Sequence, residues 1–145
     1  MRSVLFHLIG VTRDEVADRL SAIATPTGSG SWNFPRSSRT AVLYISLYDD
    51  LLAEAEPADL EELTASLGAL PAVSVIGDVS GSAAGDAEVR QLAALMLTEF
   101  RGVVCDDYTN HCWTLSEIQS SAKVKGHPFF DYDGWYGDRQ NRPVE

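Results

Sequence analysis

The sequence predicts an α+β fold. Its core is a ferredoxin-like β-α-β-β-α-β unit extended by α-β-β, with helices on one face of a mixed sheet. Three observations predict it. Strand-like apolar runs alternate with segments of helical period. Two Thr-x-x-Glu capping boxes mark helix starts. Clusters of Gly, Pro and Ser punctuate the boundaries. The 145 residues suit one α+β domain, 1–145, with 123–145 an irregular C-terminal segment.

The first run, SVLFHLIG (3–10), is β-rich and reads as a buried strand. Thr12 and Glu15 form the first capping box, and Val16, Leu20 and Ile23 follow at helical spacing. That helix stops before Pro26, and TPTGSGS (25–31) reads as a loop. Trp32 and Phe34 alternate in a short strand that Pro35 ends or places at an edge. AVLYISLYDD (41–50) is the clearest strand, with Ala41, Leu43, Ile45 and Leu47 on one face and Val42, Tyr44, Ser46 and Tyr48 on the other.

A helix over 57–68 follows from Pro57 at its start, Leu60, Leu63 and Leu67 as its stripe, and Gly68 as its cap. AVSVIGD (72–78) is a strand. Asp86 is the expected N-cap of a helix that buries Val89, Leu92, Ala93, Met96, Leu97 and Phe100 and ends at Gly102. VVCDD (103–107) and HCW (111–113) read as a hairpin centred on Tyr108 and Thr109. That register sets Val104 against Trp113, Cys105 against Cys112 and Asp106 against His111. Thr114 and Glu117 form the second capping box and open a short helix through about Ala122.

The net charge of −10 disfavours nucleic acid as a partner, because phosphates demand Lys and Arg. It suits a basic protein. The short apolar run at the N-terminus is neither a signal peptide nor a membrane span, so a cytoplasmic location and reduced cysteines are expected. No cofactor or metal is expected, and the chain is expected to be a monomer or homodimer.

Candidate chemistry falls into four groups. Asp49 and Asp50, Asp78, and Asp106 and Asp107 each follow a predicted strand. Parallel strands would gather them at one sheet edge, where they could hold Mg²⁺ for phosphoryl transfer. Strand-ending turn aspartates are the simpler account. Facing Cys105 and Cys112 could bind a metal with His111 or form a cross-strand disulfide, or could be inert buried thiols. His7, in an apolar strand, reads as a hydrogen-bonded core histidine, and there is no GxSxG, GxGxxG, Walker or HExxH pattern. Finally, HPFFDYDGWY (127–136) packs five aromatics among aspartates. Phe129 and Phe130 are expected to cover the tyrosine-bearing sheet face, leaving Tyr132, Trp135 and Tyr136 partly exposed as anchors.

The stretch FRGVVCDDYTNHCWTLSEI (100–118) resembles small actinobacterial proteins of unassigned function and is similar to some immunity proteins of polymorphic toxin systems. That resemblance implies an acidic stoichiometric binder, not an enzyme. The expected function is an immunity-type inhibitor occluding a basic toxin of nuclease or deaminase class. Its partner-binding residues would be Asp49, Asp50, Asp106, Asp107, Asp131, Asp133, Trp135 and Tyr136. The rival expectations are a divalent-metal phosphoesterase using the strand-end aspartates and a self-associating regulatory subunit.

Overall fold

The computed structural model describes residues 2–36, 40–81, 85–109, 111–131 and 134–135. Alternation sets the strands. In β1 (Ser3–Ile9) the side chains of Val4, Phe6 and Leu8 line one face and are fully buried. Helix α1 (Arg13–Ile23) starts at Thr12, whose hydroxyl accepts the Glu15 amide while Glu15 accepts the Thr12 amide. It ends at Ile23, three residues before Pro26, as expected from the missing N–H of proline.

The expected loop at 25–31 is instead a hairpin. Strands β2 (Thr25–Gly28) and β3 (Ser31–Phe34) pair antiparallel across it. All four β2 residues are exposed, so no apolar pattern marked them, and an edge strand tolerates Pro26. Next come β4 (Leu43–Leu47), a one-turn helix α2 (Leu51–Glu54) and α3 (Pro57–Leu67), which Gly68 closes at φ 82°. Strand β5 (Val73–Val79), helix α4 (Asp86–Glu99), β6 (Arg101–Asp106) and α5 (Leu115–Gln119) complete the chain.

The N-cap of α4 is Gly85, at φ 78°, and Asp86 is its first residue. That helix ends at Glu99 with Phe100 as its C-cap, and Gly102 belongs to β6. A Cβ on Gly102 would fall 2.3 Å from the His7 carbonyl oxygen, so close approach of β6 to β1 accounts for that glycine.

The six strands form one sheet in the order β2-β3-β4-β5-β1-β6. Every neighbouring pair is antiparallel, so the sheet is not mixed. The continuous β-α-β-β-α-β core is also interrupted, by β2 after α1 and by α2 before α3. The expected terminal α-β-β reduces to α4, β6 and a single bridge, Val104 to Trp113, in the expected register. Strand β5, between β4 and β1, is buried on both its faces at Val73, Ser74 and Val75, whereas β4, also an inner strand, leaves Tyr44 48% exposed on its second face.

One face of the sheet carries Val4, Phe6, Leu8, Ile45, Val75 and Val104. Their cluster takes in Val16 and Leu20 of α1 and Val89, Leu92, Ala93 and Met96 of α4. Each large side chain buried there contributes about 1.5–3 kcal/mol. The opposite face is not open. Leu63 of α3 is buried, and α2 and α3 line a cavity together with Leu5, His7 and Cys105, which point away from the main cluster. Helices therefore cover both faces, because β1 and β6 carry half-apolar second faces that also need shielding.

Phe129 and Phe130 are fully buried, but they belong to the α1–α4 cluster, with Trp113 and Phe129 ring centroids 5.8 Å apart. The C-terminal segment thus seals the main core and not the tyrosine-bearing face. No helix among the described residues is long and apolar enough to cross a membrane.

Candidate functional site

The turn after β6 organises the C-terminal segment. Asp106 Oδ1 accepts the amides of Tyr108 (3.3 Å) and Thr109 (3.2 Å), and Oδ2 accepts the Phe130 amide (3.0 Å). At 7% exposure, with both oxygens engaged, Asp106 is a structural clamp and is removed from the expected contact set. Phe130 reaches its donor position at φ 53°, a backbone region rarely used outside glycine. Beyond it, Asp131 Oδ1 accepts the Gly134 amide, and Asp131 Oδ2 lies 3.1 Å from His127 Nδ1. A Cβ on Gly134 would meet Asp131 Oδ2 at 1.9 Å and His127 Nδ1 at 2.7 Å, so a larger residue there would displace the Asp131–His127 pair.

Trp135 is half-buried. Its ring stacks on Tyr108 (6.1 Å, 18°) and lies 4.1 Å from the His127 ring. Asp131 is half-buried beside it, while Asp133 and Tyr136 lie outside the described residues.

The five strand-end aspartates do not gather at one edge: Asp78, Asp106 and Asp107 meet beside Ser3 and Val4 at the start of β1, and Asp49 and Asp50 lie apart from them. Antiparallel pairing sets Asp78 opposite both Ser3 and Tyr44, and Asp106 opposite Val4. Asp49 and Asp50 follow the far end of β4, beyond the Leu47–Val75 pair, about 17 Å away along the strand. Parallel crossovers were the premise, and the direct β4–β5 antiparallel pairing removes it. Asp49 instead pairs with Arg13 at 3.1 Å. Asp107 accepts the Ser3 amide at 2.6 Å, and its carboxyl is raised by burial, which outweighs that bond. Among the described residues no group of three or more His, Cys, Asp or Glu is placed to hold a metal.

Beneath α3, a cavity of about 290 Å³ is lined by Leu5, His7, Leu60, Glu62, Cys105 and Cys112 among others. His7 Nδ1 lies 2.9 Å from Ser74 Oγ, and both residues are buried. Burial holds the His7 imidazole down at about 4. This is the satisfied core histidine that its apolar strand suggested.

The surface that sequence reasoning overlooked lies on α2 and α3. Glu54, Glu56, Asp59, Glu61 and Glu62 are all exposed there. Leu52 and Leu70, 62% and 53% exposed, flank them. An open groove runs past Pro57, Leu60, Glu61, Thr64, Ala65 and Leu70. Charge asymmetry would have revealed it: residues 40–89 hold ten Asp and Glu and no Lys, Arg or His. No family model, no curated protein and no solved structure matches this chain.

Proposed function

We propose that the protein is a non-enzymatic acidic binder of the immunity type, which occludes a basic cognate toxin of nuclease or deaminase class. The observation that carries this reading is the α2–α3 surface. Five exposed carboxylates within residues 54–62 adjoin exposed Leu52 and Leu70. Acids steer a basic partner, and apolar side chains give the contact a centre that excludes water. An enzyme whose own site must attract phosphates presents such a basic face. Asp50 extends the acidic surface at the start of α2, Asp107 lies beside Ser3 at the end of β6, and Asp131 and Trp135 sit together against Tyr108.

The test is capture of a partner from the source lysate by the parent protein and by a Glu56→Lys, Asp59→Lys, Glu61→Lys variant. The parent should retain a basic protein that the variant does not. Association should slow as salt rises. Equal capture by both proteins, or a salt-insensitive on-rate, would refute the reading.

The same proposal extends to the fold. A ferredoxin-like β-α-β-β-α-β pattern emerges from β1, α1, β4, β5, α4 and β6 if the β2–β3 hairpin and the α2–α3 pair are insertions.

A further inference from the structure

Val104 and Trp113 exchange both backbone hydrogen bonds, at 3.0 and 2.8 Å. One step along, Cys105 and Cys112 occupy the adjoining non-hydrogen-bonded position. There antiparallel chains bring Cα atoms to about 4.5 Å, at the near end of the range that a disulfide spans. The two sulfurs are 3.7 Å apart, and both cysteines are free thiols. Closing to a bond needs an approach of roughly 1.7 Å, within reach of side-chain rotation. Both sulfurs line the 290 Å³ cavity beneath α3, so a small molecule can approach them.

We propose that Cys105 and Cys112 are a thiol–disulfide exchange site, at which a small cationic disulfide oxidises the pair to a cross-strand disulfide. Cys112 is the attacking sulfur. Its thiol is lowered, first by the hydrogen bond from the Cys105 thiol and then by the Ser66 hydroxyl and His111. Burial and Glu62 on α3 oppose that shift. Cys105 is raised by the same bond, by burial and by Asp106, which suits it to the second step. The thiolate of Cys112 attacks one sulfur of the disulfide RSSR, forming a mixed disulfide and releasing RS⁻. Cys105 then loses its proton and attacks Cys112 Sγ, forming the Cys105–Cys112 bond and releasing a second RS⁻. Two protein thiols and RSSR become one protein disulfide and two RSH. The cavity also carries Asp59, Glu62 and Asp106, and their negative field favours a cationic reagent over an anionic one.

The experiment treats the full chain with cystamine or with oxidised glutathione and follows intact mass and free thiols. Cystamine should remove two hydrogens from the parent protein and leave no adduct. Cys105→Ser should retain one cysteamine on Cys112, and Cys112→Ser should stay largely unmodified. Peptide mapping of the parent, quenched early, locates the first adduct without relying on either variant. Cystamine should react at least tenfold faster than oxidised glutathione at low salt. The alkylation rate of Cys112 should titrate below the ordinary thiol range of about 8.5. A doubly adducted parent, first attack at Cys105, an inert native protein, or equal rates for the two reagents would overturn the proposal.

Discussion

Lowering the pH from 7 to 5 should destabilise the fold through one residue, His7. Its side chain is 3% exposed, and Nδ1 lies 2.9 Å from Ser74 Oγ. Burial depresses its pKa to about 4 from the ordinary 6.5. The unfolded chain therefore takes up the proton first. Stability from the neutral imidazole is fully present above about pH 6.5 and is lost as pH falls through the window down to 4. At roughly 1.4 kcal/mol per pH unit the whole contribution is about 3 kcal/mol, and about 2 kcal/mol of it is gone by pH 5. That is a large fraction of the roughly 5–15 kcal/mol that holds a domain folded. The assay is urea unfolding at pH 7 and pH 5 for the parent and for His7→Asn, which offers Ser74 an amide but does not titrate. The parent should lose about 2 kcal/mol more than the variant over that interval. Equal losses would refute the reasoning, as would an imidazole NMR titration with its midpoint at or above 6.5.

Three further outcomes are expected. Asp106→Asn leaves one side-chain position able only to donate, facing either the turn amides or the Phe130 amide, and should cost about 1–3 kcal/mol in thermal unfolding. An unchanged Tm would show that Asp106 does not clamp the C-terminal segment. Gly102→Ala drives a Cβ into the His7 carbonyl and should cost about 1–3 kcal/mol, read by the same unfolding assay. Trp135→Ala removes the stacking on Tyr108 and His127 and should cost about 1 kcal/mol of stability. Full stability with weakened capture of the partner would instead assign that ring to an interface.

Legibility followed the distance over which each feature is determined. Both capping boxes were readable because their donors and acceptors lie three residues apart. The hairpin register was readable because a tight turn fixes which residues face each other, and the Cys105–Cys112 contact is its direct consequence. Helix α1 and the buried stripe of α4 followed from apolar period. Strand β2 left no trace, since an exposed polar edge is held by backbone bonds that carry no side-chain code.

Sequence alone determined the class of fold, the positions of most helices and strands, and the acidity of the chain, because these depend on local propensity and composition. Tertiary structure alone decided the direction of each strand, which faces of the sheet are covered, and where each carboxylate is used. Asp49 and Asp106 looked alike as strand-end residues. One pairs on the surface with Arg13, 36 residues away, and the other is buried beneath Phe130, 24 residues away. Charge pattern does not encode such distant partners; the antiparallel sheet and the packing of α1 and the C-terminal aromatics create them.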